Sequence, residues 1–197
     1  MPIIKAQASS SLSSFYRLRY KMMVCLILLL ALPISSFALK ANTQNIQDHN
    51  LKAVYLFRFA FLTTWGAFAP SNQKFNFCSE ASSDISNTLQ ALINKKPAQA
   101  TFIPYSSISD IQPNSCHVIY LSTQDPIMIK QFQTSQPHAL LVGDGESFIH
   151  SGGMIAFIKI NNRIKPLISL KHIAPTGLSL RSQLLSVSNI ANDEGSL

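Results

Sequence analysis

The stretch of residues 138–157 constrains the fold more than any other part of the chain. It contains an apolar run at 139–142, a turn from Gly143 to Gly145, and a second apolar run that starts at Met154. Short apolar runs without polar alternation are typical of strands that are buried on both faces. Such strands need covering helices on each side, so this stretch predicts the centre of a mainly parallel sheet.

The N-terminus predicts an export signal. Four basic residues and no acidic residue precede an apolar run at 22–32, and Pro33 follows that run. Ser36 and Ala38 have the spacing of the small residues that a signal peptidase accepts. We therefore predict a signal peptide at residues 1–38. An uncleaved membrane anchor stays open as the alternative, because the apolar stretch is just long enough to span a bilayer.

Most of the positive charge belongs to this signal. The full chain carries 16 basic and 9 acidic residues, for a net charge of +7. Four of the basic residues precede Ala38, so the mature chain has a net charge of about +3. Lys95 and Lys96 are the only adjacent basic pair in the sequence. This pattern argues against binding of nucleic acid, which requires clustered Lys and Arg.

Cys78 and Cys116 remain after cleavage, since Cys25 lies within the signal. An even number of cysteines is typical of exported chains that contain disulfides. Each borders an apolar, strand-like run, so a disulfide is available if the two strands approach one another. Two buried thiols remain the alternative. No second Cys or His lies at ligand spacing from either residue, and we predict no metal site.

Secondary-structure signals predict one domain at residues 51–190, between a flexible segment at 39–50 and a disordered tail at 191–197. Asp48 or Asn50 could cap the first helix. Helices are predicted at 51–65, 83–93, 127–132 and 178–190, and strands at 74–78, 100–103, 117–122, 139–142, 156–160 and 163–170.

Turn and cap residues support several of these elements. Asp125-Pro126 is a typical helix start, and Asn161-Asn162 is a typical hairpin turn. Pro166 indicates that the second arm of the hairpin is an edge strand. The order of elements predicts an α/β fold: a single three-layer sandwich with a mainly parallel sheet, a C-terminal antiparallel hairpin, and helices on both faces.

Several segments, taken in order, resemble one protein family. They are an aromatic-rich helix at 52–60 that runs on to Trp65, cysteine strands at 77–78 and 116–120, Val-Gly-Asp at 142–144, Gly-Gly-Met-Ile-Ala-Phe at 152–157, Asn-Arg-Ile at 162–164, Gly-Leu at 177–178 and Ser-Gln-Leu-Leu at 182–185. In this order and spacing they resemble the YfiR-like periplasmic proteins over about residues 51–190.

The resemblance implies a non-enzymatic periplasmic regulator, often dimeric, that represses an inner-membrane signalling enzyme by binding its periplasmic sensor region. In the best-known members this enzyme is a diguanylate cyclase, so the output is biofilm formation through cyclic di-GMP. The resemblance also implies a disulfide between Cys78 and Cys116. We expect the partner to contact the first helix and the hairpin. The residues assigned to this contact are Tyr55, Phe59, Phe157, Arg163, Leu167 and Ile168.

A periplasmic small-ligand-binding protein that serves a membrane sensor kinase is the alternative, because α/β proteins bind ligands at strand ends. Its site would be formed by Ser122, Gly143, Asp144 and Arg181. Catalysis is not predicted, because Asp144 and Glu146 lie two residues apart in one loop, whereas paired catalytic carboxylates face each other across a substrate. The sequence has no motif for a nucleophile with its base, and we predict no cofactor and no enzymatic activity.

Overall fold

The computed structural model describes residues 35–192, with side chains from Ile46 onward. The chain divides into two compact units, 1–45 and 46–197, and the fold described below is that of the second unit. The predicted signal peptide lies outside the described residues except for its last four, as do the last five residues of the predicted tail. Among the helices described, none has the length and apolar character needed to cross a membrane.

A seven-stranded sheet forms the centre of the second unit. The strands of the described chain are β1 (Thr63–Thr64), β2 (Phe75–Glu80), β3 (Ala100–Tyr105), β4 (Val118–Tyr120), β5 (Leu140–Asp144), β6 (Ile155–Ile160), β7 (Arg163–Ile168), β8 (Ser179–Leu180) and β9 (Asn189–Ile190). The sheet has the order β3-β2-β4-β5-β6-β7-β9, and β1 and β8 form a separate antiparallel pair. Neighbours in the sheet are parallel except β6 and β7. The predicted parallel sheet with an antiparallel hairpin is confirmed.

Helices cover both faces of this sheet. The helices of the described chain are α1 (Ser35–Leu62), α2 (Asp84–Asn94), α3 (Pro126–Ser135), α4 (Glu146–His150), α5 (Leu170–Ile173) and α6 (Ser182–Leu185). Phe57 of α1 stacks on Phe77 of β2, with 5.7 Å between ring centroids. On the other face, Phe132 of α3 contacts Tyr105 of β3. Tyr105 is paired with Glu80 of β2, so the side chains of these two residues lie on the same face of the sheet. Glu80 comes three residues after Phe77, and side chains an odd number of residues apart in a strand lie on opposite faces. The contacts of Phe77 and of Tyr105 are therefore on opposite faces. The predicted three-layer arrangement is confirmed.

Local signals account for several element boundaries. The side chains of Ser83 and Asp125 cap α2 and α3 by accepting hydrogen bonds from backbone N–H groups. Pro126 occupies the first position of α3. Asn161 and Asn162 have φ angles of 48° and 60°. Positive φ at both central residues is what a two-residue hairpin turn of type I′ requires. These helix starts and the hairpin turn agree with their predictions.

The two strand prolines lie where they cost no ladder hydrogen bond. β7 is not the outermost strand as predicted, because β9 pairs with Leu167 and Ile168. β9 is only two residues long and leaves Pro166 beyond its reach. The strand predicted to end before Pro104 runs on to Tyr105. It is the outer strand β3, where proline is tolerated when its nitrogen faces away from the sheet.

Two other elements differ from their predicted form. α1 begins at Ser35, so the segment predicted to be flexible at 39–50 is helical, and neither predicted cap residue starts the helix. The helix predicted at 178–190 is replaced by β8, α6 and β9. Leu180 pairs with Thr63 across β1 and β8, and β9 extends the main sheet. Pairing with strands that are distant in sequence therefore outweighs the helical spacing of the leucines.

Neighbouring strands bring the two cysteines together. β2 and β4 are parallel neighbours, and Cys78 and Cys116 form a disulfide with 5.9 Å between their Cα atoms. The two residues are 1% and 6% exposed, so the bond lies inside the core. The disulfide implied by the family resemblance is confirmed.

Candidate functional site

A polar cluster lies at the carboxyl ends of β4 and β5. Asp144 accepts hydrogen bonds from the Nζ of Lys52 at 2.6 Å and from the hydroxyl of Tyr120 at 2.5 Å. Gln124 donates its Nε2 to the backbone carbonyl of Asp144 at 2.9 Å. Tyr120 pairs with Val142, two residues before Asp144, so both side chains lie on the same face of the sheet. Because Lys52 belongs to α1, the cluster ties this helix to the sheet.

Two tyrosines act as hydrogen-bond donors here. Burial raises the pKa of Tyr120 well above its ordinary value, and the charge of Asp144 raises it further. Burial also raises the pKa of Tyr105, whose hydroxyl donates to the carbonyl oxygen of Tyr120 at 3.1 Å. Both phenols therefore stay protonated at neutral pH. Each carboxylate oxygen of Asp144 accepts one bond, so the cluster is satisfied by its own members.

Two of the predicted ligand residues have local partners near this cluster. Ser122 is exposed, and its hydroxyl hydrogen-bonds the carboxylate of Glu80. Gly143 is buried beneath the side chain of Phe148. A Cβ at Gly143 would lie 2.5 Å from a ring carbon of Phe148, so the glycine allows the ring to pack on β5.

Arg181 lies beside the C-terminal end of α1, away from this cluster. Its backbone N–H donates to the carbonyl of Leu62, the last residue of the helix. Lys52, which contacts Asp144, is ten residues earlier, or about 15 Å along a helix. The structure therefore does not bring Arg181 together with the other predicted ligand residues, and the four-residue ligand site is wrong. Sequence reasoning could not detect this separation, because the four residues come from three segments that are distant in the chain.

Three of the six residues assigned to partner contact belong to the hydrophobic core. Phe59, Phe157 and Ile168 are at most 3% exposed. The rings of Phe59 and Phe157 stack with 5.9 Å between centroids, because this side of α1 packs on β6. Their assignment to a contact surface is wrong. Tyr55 and Leu167 are half-buried and Arg163 is exposed.

An exposed apolar stripe runs along α1. Its members, called the α1 stripe below, are Leu51 and Val54, which are 40% and 39% exposed, whereas Ile46, which is 56% exposed, lies on another side of the helix. Arg58, four residues after Val54, is also exposed. The spacing of 51, 54 and 58 is that of one helix face, but it does not stand out in the sequence as a separate apolar stripe. It was missed because the helix is apolar on nearly every side.

His117 lies among aromatic rings at the start of β4. Its Nδ1 accepts a hydrogen bond from the backbone N–H of Asn76 at 3.0 Å. Its ring meets those of Trp65 and Phe75 edge-on, at interplanar angles of 81° and 86°. Burial lowers the pKa of His117 below its ordinary value of 6.5, because the charged ring would lose its hydration.

We expect the free energy of unfolding to fall as the pH is lowered from 6.5 through the folded-state pKa of His117. Above this window the ring is neutral in both states, whereas within it the unfolded chain takes up a proton that the folded protein does not. His117→Asn keeps an oxygen that can accept from Asn76 and removes the titration. Urea unfolding at about pH 7.5 and about pH 5.5 measures the difference.

The control for this prediction is His150→Asn, at an exposed position. It should retain the pH dependence of the wild type. If His117→Asn also retains it, His117 is not the group responsible.

An aromatic groove lies at the amino ends of β2 and β3. It has a volume of about 660 Å³, and Phe61, Trp65, Phe75 and Arg181 are among its lining residues. The Phe75 ring lies 5.1 Å from that of Phe61 and 5.6 Å from that of Trp65, measured between centroids. This aromatic groove was not predicted from the sequence, because α1, the β1–β2 loop, the α2–β3 loop and the β8–α6 junction all contribute to it.

The chain is similar to one known protein family and to several solved structures. Residues 49–189 match a family model described as YfiR/HmsC-like. No curated protein matches the sequence. Among solved structures, the chain is similar to a conserved domain protein from Vibrio cholerae O1 biovar El Tor, with 9% identity, a TM-score of 0.46, and coverage of 64% of this chain and 56% of that one. It is also similar to an ABC domain in complex with L-Trp from Streptococcus pneumoniae, with 12% identity, a TM-score of 0.46, and coverage of 69% and 60%.

The chain spans less than two thirds of either solved structure. The family match, in contrast, covers most of the domain described above, from the first helix to β9. The protein therefore belongs to the YfiR/HmsC-like family.

Proposed function

We propose that this protein is a non-enzymatic periplasmic regulator that represses an inner-membrane diguanylate cyclase by binding its periplasmic sensor region. The observation that carries the proposal is the family match over residues 49–189. The signal peptide predicted at residues 1–38 supports export to the periplasm. The output would be control of biofilm formation through cyclic di-GMP, and the regulator would act as a homodimer.

The α1 stripe is the surface that we assign to the cyclase. Exposed apolar side chains that share one face are typical of protein-interaction sites. Val54 is followed by Tyr55, whose ring lies 6.1 Å from the buried ring of Phe157, measured between centroids. Tyr55 is therefore held in place at the border of the stripe. A rigid aromatic residue loses little conformational entropy when a partner binds.

The test is the cellular level of cyclic di-GMP in a strain that lacks the gene and carries variants in its place. Deletion should raise the level, and the wild-type gene should restore it. Val54→Glu places a charge in the proposed contact and should fail to restore it, because a buried unpaired charge costs several kcal/mol. Binding of the mature variant to the purified periplasmic region of the cyclase should be lost in parallel.

Ile127→Glu is the matched control. Ile127 is 68% exposed and belongs to α3, on the other face of the sheet. This variant should repress like the wild type. Equal repression by the Val54→Glu variant would reject the α1 stripe as the contact, and an unchanged nucleotide level after deletion would reject the function. Light scattering tests the homodimer separately, and Val54→Glu should leave it intact.

A further inference from the structure

The acidic side chains of residues 46–192 gather at one edge of the sheet, where Lys52 and Lys159 form ion pairs with two of them. Residues 46–192 contain seven acidic side chains: Asp48, Glu80, Asp84, Asp110, Asp125, Asp144 and Glu146. Six of them end a strand or lie at the start of the helix or turn that follows a strand. The seventh, Asp48, accepts a hydrogen bond from Lys159 of the β6–β7 hairpin. Parallel strands end, and their crossover helices begin, at one edge of a sheet. All seven carboxylates therefore lie at the carboxyl edge.

The amino edge is basic. Lys74 precedes β2, Lys95 and Lys96 follow α2, Lys171 lies in α5, and Arg181 follows β8. None of the acidic residues between 46 and 192 lies at this edge. The aromatic groove opens at the same edge, and none of its lining residues is acidic.

Arg181 provides an unpaired positive charge beside the aromatic groove. Its guanidinium is exposed and makes no hydrogen bond or ion pair with any residue of the described chain. A second positive charge, that of Lys96, lies beside Phe57, whose ring is next to that of Phe61 in the groove. The Nζ of Lys96 is 5.9 Å from the ring centroid of Phe57, and this ring lies 5.1 Å from that of Phe61.

We propose that the aromatic groove binds an extended acidic segment of the partner protein, with one apolar side chain among the rings and carboxylates beside Arg181 and the lysine pair at 95–96. The inference rests on the proposed function, because it describes the chemistry of the partner. A neutral apolar peptide would form no ion pair with Arg181 or with the lysine pair at 95–96. A groove with Arg181 in its lining and Lys96 beside the adjoining ring of Phe57 fits an inserted peptide chain better than a flat lipid surface.

The charge separation also gives this binding a direction. An acidic segment is attracted to the amino edge and repelled by the carboxyl edge, where the carboxylates lie. Attraction of this kind raises the association rate and is weakened by salt. Binding should therefore weaken as the ionic strength rises.

Trp65 makes the proposal directly measurable. It lines the aromatic groove and is the only tryptophan of the chain, so its emission reports on this place alone. The mature protein is titrated with the peptide Asp-Glu-Phe-Glu-Asp and with its uncharged counterpart Asn-Gln-Phe-Gln-Asn. The acidic peptide should shift the emission and bind about tenfold more tightly, since two or three partly exposed ion pairs together account for such a factor.

Variants locate the binding. Arg181→Glu should weaken binding of the acidic peptide about tenfold, and so should the pair Lys95→Glu and Lys96→Glu. The latter provides an independent test should the first variant be unstable. Lys130→Glu reverses an exposed lysine of α3, on the other face of the sheet, and should bind like the wild type. Urea midpoints equal to that of the wild type show that the variants are folded.

Four results would overturn the proposal. They are equal affinity for the two peptides, an Arg181→Glu variant that binds like the Lys130→Glu variant, a shift of the Trp65 emission by phosphatidylglycerol vesicles in place of the acidic peptide, and a shift caused by removal of residues 193–197. The last result would show that the acidic tail of the chain occupies the groove. Peptide binding is measured without a cyclase. It can therefore fail while repression of cyclic di-GMP persists, and it can persist if repression fails.

Discussion

Replacement of Gly143 by alanine is expected to destabilise the protein by about 3 kcal/mol. A Cβ at this position would lie 2.5 Å from one ring carbon of Phe148 and 2.6 Å from two others. Phe148 is fully buried, so its ring cannot move aside without displacing the core. Urea unfolding followed by circular dichroism measures the loss.

A double-mutant cycle separates this clash from other causes. Phe148→Ala alone should cost about 3 to 5 kcal/mol, because it leaves a cavity. In that background Gly143→Ala should cost less than about 1 kcal/mol, since the ring that it meets is gone. A loss that is equally large in both backgrounds would show that the clash with Phe148 is not the cause.

Two other glycines serve as controls for this cycle. Gly153→Ala should remain costly even without the Phe148 ring, because its Cβ would lie 2.7 Å from the backbone oxygen of Phe148. Gly66→Ala should cost only about 1 kcal/mol, the price of a left-handed backbone, because nothing lies within 4 Å of its Cβ.

Removal of the disulfide by Cys78→Ala and Cys116→Ala is expected to lower the free energy of unfolding by about 3 to 4 kcal/mol. The bond joins residues 38 positions apart, so without it the unfolded chain gains the freedom of a large loop. The folded β2 and β4 remain neighbours through their own pairing. Unfolding of the double variant and of the wild type, both without reductant, measures the difference.

The wild type in the presence of a reductant is the comparison for this prediction. Cys78 and Cys116 are almost fully buried, so the reductant should not reach the disulfide until the protein unfolds. Once reduced, it should unfold at the same urea concentration as the double variant, within the effect of replacing two thiols. A double variant as stable as the oxidised wild type would show that the bond contributes nothing to stability.

Some features could be predicted because the residues that cause them are neighbours in the chain. Asp125 and Pro126 start α3, and Asn161-Asn162 turns the hairpin, through local backbone geometry alone. The apolar run at 139–142 could only be a strand covered on both faces. The order of strands and helices then implied a mainly parallel sheet, because parallel neighbours need crossovers between them.

The candidate site was predicted less well than the fold. Arg181 and Asp144 were assigned to one ligand site, yet they contact α1 ten residues apart, at Leu62 and at Lys52. Phe59 and Phe157 were assigned to a partner surface, yet they stack on each other in the core. A helix that is apolar on nearly every side has no periodic pattern in its sequence that distinguishes the solvent-exposed side from the buried side.

The sequence by itself therefore determined the fold class, the hairpin and the starts of α2 and α3, since each depends on residues within a few positions of one another. Only the tertiary structure decided that residues 178–190 form two short strands and a short helix, that the α1 stripe stays exposed, and that an aromatic groove opens at the basic edge. These features depend on contacts between segments that are far apart in the chain, and a pattern of neighbouring residues carries no information about which distant segment packs beside it.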